Sequence, residues 1–129
     1  MQFDTLRQMA LGLPETEERT AWGTPAFYVR EKMFARQHED GDHVAIKVDR
    51  GEREALVASD PDTFVITPHY QRHPWVLVKL ARVDPAELRE LLIEAWMLSA
   101  PKRLIQTNSD LFERHAARRR PTTRSRFTQ

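Results

Sequence analysis

Phe27-Tyr28-Val29-Arg30, Lys32-Met33-Phe34-Ala35-Arg36 and Val44-Ala45-Ile46-Lys47-Val48 decide the fold class. Each is a short run rich in aromatic or β-branched side chains, and such runs read as strands. Gly23-Thr24-Pro25 precedes the set, and Glu39-Asp40-Gly41-Asp42 interrupts it with a strong hairpin-loop signal. Residues 15–48 therefore read as an antiparallel meander.

Outward from the meander the period changes. On its N-terminal side, Asp4 is placed to cap a helix with Leu6, Met9 and Ala10 on one face, stopped by Gly12 and Pro14. On its C-terminal side, Asp49 with Glu52 forms a capping-box pattern for a second helix through Ala55, Leu56 and Val57, ending near Asp60-Pro61. Thr63-Phe64-Val65-Ile66-Thr67 and Trp75-Val76-Leu77-Val78-Lys79-Leu80 predict two more strands, joined by the loop Pro68-His69-Tyr70-Gln71-Arg72-His73-Pro74. Asp84, Pro85 and Glu87 stand at the N-cap, N1 and N3 of the clearest helix, whose stripe is Leu88, Leu91, Leu92, Ala95 and Trp96. Pro101 ends it, Lys102 to Ile105 add a short turn, and a weak last helix runs through Leu111 and Phe112. The order α-β-β-β-β-α-β-β-α describes an α+β fold, a single compact domain whose antiparallel sheet has its helices packed on one face. The domain is expected over residues 1–107, followed by an Arg-rich extension over 108–129, partly helical or disordered.

Composition narrows the function. The 129 residues carry 20 Lys and Arg against 19 Asp and Glu, a net charge of +1. That balance hides a split, because residues 1–113 hold 14 basic and 19 acidic side chains while residues 114–129 hold six arginines and no acid. Such asymmetry points to an anionic partner. Without cysteine there is no disulfide, no thiolate metal site and no cysteine nucleophile. The longest run of large apolar residues, Trp75 to Val78, falls far short of the ~20 residues of a membrane span. Met1-Gln2-Phe3-Asp4 lacks a basic n-region and an apolar h-region, so the expected address is cytoplasmic and no membrane partner is expected.

Few residues carry a pattern for catalysis. Ser59 and Ser99 sit at helix ends, Ser109 and Ser125 lie near or in the tail, and none occupies a nucleophile elbow. The four glycines stand alone rather than in a phosphate-cradling loop. His69 and His73 fall on a Pro-flanked loop, where i, i+4 spacing does not imply one face, and Glu39, Asp40 and Asp42 beside His38 and His43 read as turn formers. Glu15, Glu17 and Glu18 read as a solvated segment. The expectation is a non-enzymatic chain without catalytic residues, metal site or cofactor.

The cations carry the stronger signal. Arg30, Lys32 and Arg36 have like parity and share a sheet face, provided the register runs unbroken through Glu31, and Lys47 and Lys79 extend that face. Tyr28, Tyr70 and Trp75 beside them resemble the stacking and phosphate-contact mixture of nucleic-acid binders.

Four ordered blocks bear a family resemblance: Trp22-Gly23-Thr24-Pro25-Ala26-Phe27, Lys32-Met33-Phe34-Ala35, Pro68-His69-Tyr70 with Pro74-Trp75-Val76, and Ala100-Pro101-Lys102-Arg103-Leu104. Over about residues 1–106 the chain resembles the MmcQ/YjbR family of small bacterial proteins. That resemblance implies a CyaY-like α+β fold, described as a double-wing DNA-binding arrangement. Glu31 departs from the family pattern, which often has Gly before the Lys.

The reading that follows is binding of nucleic acid, chiefly duplex DNA, weak and salt-dependent, through phosphate contacts. Its residues are Arg30, Lys32, Arg36, Arg72, Lys102 and Arg103 for charge, Tyr70 for stacking, and Arg118, Arg119 and Arg120, with Arg124 and Arg126, for sequence-independent attraction. The alternative is a protein-binding or small-anionic-ligand-binding module, with Trp22, Phe27, Tyr70 and Trp75 lining a groove and Lys32 and Lys102 meeting the anionic group. A third reading makes His69 or His73 the general base of an enzyme. The sequence leaves the oligomeric state open.

Overall fold

The computed structural model describes residues 1–111 and 113. Strands β1 (Thr16–Ala21), β2 (Thr24–Val29), β3 (Lys32–Gln37) and β4 (His43–Lys47) form the meander, and β5 (Phe64–Val65) and β6 (Trp75–Lys79) extend it. Every neighbouring pair is antiparallel, in the order β1-β2-β3-β4-β6-β5. Strand β1 runs through the acidic segment: six cross-strand pairs to β2 hold it, and its charged side chains suit an exposed edge. Strand β5 is shorter than its apolar run because the chain leaves the sheet for a 3-10 turn at Pro68–Tyr70.

Two-residue turns close both hairpins on either side of β2. Ala21 pairs with Thr24 across Trp22-Gly23, and Val29 pairs with Lys32 across Arg30-Glu31. All four turn residues have positive φ, +50° and +83° in the first turn and +47° and +70° in the second. Left-handed pairs of this kind match the twist of the flanking strands and favour glycine at the second position. Gly23 fills that position in the first turn. In the second, Glu31 fills it, so the departure from the family pattern falls where glycine would relieve strain.

The expected common face for Lys32 and Arg36 does not form. Phe27 pairs with Ala35 but Tyr28 pairs with Met33, so Phe34 is an extra residue in β3, a β-bulge. The bulge reverses parity and sets Lys32 and Arg36 on opposite faces. Arg30 is a turn residue rather than a strand residue.

Helices α1 (Phe3–Leu11), α2 (Arg50–Ser59) and α3 (Pro85–Ser99) cover the sheet, and α4 (Lys102–Thr107) replaces the short turn expected after Pro101. Asp49 caps α2 by accepting from the Gly51 and Glu52 amides, and Asp84 caps α3 by accepting from that of Glu87. Asp4 caps nothing: α1 starts one residue earlier, with Gln2 at its N-cap, and Asp4 pairs with Arg7 instead. The core is the row Phe27, Ala35, Ile46 and Val76 together with Phe34, Leu88, Leu92 and Trp96, all fully buried. The Trp96 indole N–H donates to the Pro14 carbonyl at 2.9 Å, which satisfies its one polar atom.

Arg53 on α2 is the structural cation. It is buried, and its guanidinium donates to the carbonyls of Tyr70 (2.9 Å), Gln71 (3.2 Å), His73 (2.6 Å) and Trp75 (3.2 Å). It thereby gathers the loop before β6 against α2. Replacing Arg53 with Met leaves those carbonyls without their donor. Urea unfolding is expected to show a loss of about 3 kcal/mol, and Arg53→Lys should recover only part of it, because one ammonium cannot reproduce the fork.

Candidate ligand-binding cleft

The outer face of the sheet is built on a second cross-strand row. Ala26 pairs with Arg36, Arg36 with Ala45, Ala45 with Leu77 and Leu77 with Val65. The two alanines flanking Arg36 leave room beside its long side chain. Arg36 is only 4% exposed, and it donates to the carbonyls of Ala21 (3.1 Å) and Trp22 (3.4 Å) and to the Glu39 carboxylate.

That guanidinium also lies 5.1 Å from the centroid of the Trp22 ring, which is 78% exposed at the tip of the first hairpin. The Trp22 backbone is left-handed, a conformation a bulky residue takes only at a cost. Arg36 therefore holds Trp22 from its carbonyl and from one side of its ring while the rest of the indole faces outward.

The loop gathered by Arg53 supplies the opposite wall. Tyr70 and Trp75 have ring centroids 6.3 Å apart, and His69 stacks edge-on to Tyr70 at 4.9 Å and lies 6.2 Å from His73. Between this wall and Trp22 is a cleft of about 620 Å³, also lined by Met33, Arg36, His38 and Glu39. The Arg36 guanidinium holds the Glu39 carboxyl below the usual carboxylate range. His38 Nδ1 is buried and lies 3.1 Å from Glu39, yet the pair lacks hydrogen-bond geometry.

Of the residues expected to meet phosphate, the cleft contains only Arg36 and Tyr70, and Arg36 is already engaged. Arg30 is paired with Glu15 at 2.5 Å. Lys32, Arg72, Lys102 and Arg103 are exposed and form no salt bridge among the described residues, but none lines the cleft. Arg118, Arg119, Arg120, Arg124 and Arg126 lie outside the described residues. Phe27, read as a groove residue, is fully buried in the core beside Phe3, because its register faces the helices. Met33, His38 and Glu39 were not expected in the site. Met33 enters through the bulge, which no periodicity announces, whereas the alternation of Arg36 with Ala35 was a visible cue to an outer-face position.

A family model for YjbR matches residues 11–98. The chain belongs to the YjbR family. Uncharacterised proteins of Mycobacterium tuberculosis and Mycobacterium bovis are each 34% identical to it over 119 residues, covering 81% of this chain and 92% of the relative. A crystal structure of a Deinococcus radiodurans protein with a DUF419 domain is similar with a TM-score of 0.67 and 26% identity, covering 75% of this chain and 77% of that one. Within this YjbR domain, the blocks around Trp22 and around Tyr70 and Trp75 converge on the cleft, while Lys102 lies beyond the matched span. Among the described residues no helix is long and apolar enough to cross a membrane.

Two outcomes check the geometry. Trp22→Asn exchanges a strained bulky residue for one that tolerates the left-handed region, and it removes the ring from Arg36. The two effects offset, so the urea midpoint should correspond to a change within about 1 kcal/mol; a larger loss would mean that the ring is a packing element. Because Glu39 has a lowered folded-state pKa, its contribution is present above the ordinary glutamate range and is lost as pH falls through the lowered value. The Trp22 indole NMR resonance should move as pH falls below the ordinary glutamate range, and Glu39→Gln should abolish that acidic movement.

Proposed function

We propose that this YjbR domain is a non-enzymatic, cytoplasmic small-ligand module that takes a planar aromatic group into the cleft between Trp22 and the Tyr70–Trp75 wall. The observation that carries this reading is the Arg36 clamp, which holds an indole outward at 78% exposure on a strained backbone. Such an arrangement sets a large ring, most of it exposed, on a strained backbone where Asn would serve the turn as well, so its use lies in what the ring meets. The volume of about 620 Å³ supports a small molecule, since ligand pockets typically measure ~300–1,000 Å³. His38, Glu39, His69 and His73 supply polar edges that orient a ring. Neither His69 nor His73 forms an ion pair among the described residues, so the general-base reading draws no support from the site.

A test uses 8-anilinonaphthalene-1-sulfonate, an aromatic dye bearing one oxyanion. The native full chain is expected to bind it at one site with enhanced dye fluorescence. Trp22→Asn combined with Tyr70→Ala should weaken binding by at least tenfold. Unchanged binding in that variant would sink the cleft.

Phosphate-mediated binding of duplex DNA is the second reading, favoured by the six arginines and absent acids of residues 114–129. Fluorescence anisotropy on the full chain tests it at low and physiological salt. If the tail neutralises phosphates, replacing Arg118, Arg119 and Arg120 with Gln lowers the salt slope by about 0.9 for each phosphate left unneutralised. The pair Lys32→Ala and Lys102→Ala then leaves it unchanged. No binding by the full chain at low salt removes the DNA reading.

A further inference from the structure

Every arginine in the meander and first helix meets a carboxylate. Arg7 pairs with Asp4 and Glu18, Arg19 with Glu17 and Glu31, Arg30 with Glu15 and Arg36 with Glu39. With 19 acids against 14 bases in residues 1–113, counter-ions are plentiful. The two lysines of the meander, Lys32 and Lys47, form no salt bridge among the described residues.

Lys47 is the last residue of β4, and its side chain is half-buried. Its ammonium lies 2.9 Å from the Ser99 hydroxyl oxygen on α3 and 5.9 Å from the centroid of Trp75, its cross-strand partner. No salt bridge reaches it among the described residues. Burial lowers its proton affinity, and the nearby charge of Lys32 on the adjacent strand lowers it further. Asp49 and Glu94 line the groove beside Lys47, but the Asp49 carboxylate caps α2. A half-buried ammonium with a like-charged neighbour is unfavourable unless an anion arrives. One bond to Ser99 fixes the ammonium with one of its three donors and leaves the other two for an incoming oxygen.

We propose that Lys47, held in place by the Ser99 hydroxyl, forms with Lys32 a binding site for the oxyanion of a small molecule, a phosphate or a carboxylate. A compact group fits this corner because Lys47 is half-buried and Ser99 is nearly inaccessible, whereas a duplex backbone needs cations spread over an open surface. Trp75 lies beside Lys47 and also lines the cleft, so a ring held there and bearing an oxyanion would bring its charge toward the Lys47 ammonium. That last step rests on the cleft reading; the anion site does not.

The experiment compares thermal melts of the full chain in inorganic phosphate and in sodium chloride of matched ionic strength. Phosphate should raise the melting temperature with half-saturation at about 1–10 mM, and chloride should not. Lys47→Met should remove the increment, Ser99→Ala and Lys32→Ala should each weaken it at least threefold, and Lys79→Ala should leave it intact. If Lys47→Met does not fold, Ser99→Ala and Lys32→Ala decide the matter. Equal shifts from phosphate and chloride, or an increment that survives both of those variants, overturn the proposal. So does a shift produced by duplex DNA when inorganic phosphate gives none. Trp22→Asn should keep the full phosphate increment. Normal dye binding in the Trp22→Asn and Tyr70→Ala variant would remove the cleft alone, and a missing phosphate increment would remove the anion site alone.

Discussion

One extra residue in β3 determines where both halves of the molecule's surface chemistry lie. By interrupting the pairing between Phe27 and Tyr28, the Phe34 bulge lets Phe34 and Ala35 both enter the core. From that point the alternation is inverted. Arg36 emerges on the outer face between two alanines, where it reaches the first hairpin, and Lys32 is carried to the other side at the end of the sheet. Without the bulge the two cations would share a face. Either the cleft would lose its clamp or the corner beside Lys47 would lose its second charge.

The two buried or nearly buried arginines do related work at opposite walls. Arg53 gathers four carbonyls of the loop that carries Tyr70 and Trp75, and Arg36 gathers two carbonyls at the hairpin that carries Trp22. A guanidinium suits both tasks because its donors fan out in a plane and match several carbonyl oxygens at once. Each wall is thus fixed by a cation that faces backbone oxygen rather than ligand. The consequence for recognition is that charge in the cleft is already balanced, and selectivity there falls to ring faces and to the polar edges of His38 and Glu39.

How much of this was legible in the sequence depends on whether a feature leaves a periodic or local mark. Asp49 and Asp84 announced their helices because capping is a local chemistry of neighbouring residues. The stripe ending in Trp96 announced a buried helix face, and Glu39 to Asp42 announced a loop. Asp4 misled because the N-cap is Gln2, two residues before the one whose side chain could cap, and β1 left no apolar alternation to read. The bulge was invisible because one inserted residue looks like unbroken sequence, so the parity of Arg30, Lys32 and Arg36 could not survive it. Arg36 and Arg53 were also out of reach as structural cations, since a solvated arginine and one bonded to distant carbonyls look alike in composition. The aromatic residues of the cleft fared better: Trp22, Tyr70 and Trp75 were named, and only Phe27 was misplaced.

Beside the left-handed residues Glu15, Arg30 and Glu31 and the unsatisfied Arg53 Nε, several features that break ordinary folding rules fall near two places. At the cleft are a bulky residue with positive φ, a buried cation and a buried imidazole nitrogen without a hydrogen bond. At the neighbouring corner is a half-buried ammonium without a counter-ion among the described residues. Asn at position 22 would relieve the backbone strain and an apolar residue at position 47 would remove the half-buried charge, and both changes are chemically simple. Local choices that conflict with the fold are therefore informative when they adjoin one another, because independent defects have no reason to meet at Trp75. Trp75 stands between the two, one of its neighbours the aromatic wall and the other the Lys47 ammonium. A ligand with a flat ring and a charged oxygen group answers both conflicts at once, the ring by covering the exposed indole and the oxyanion by supplying the missing charge.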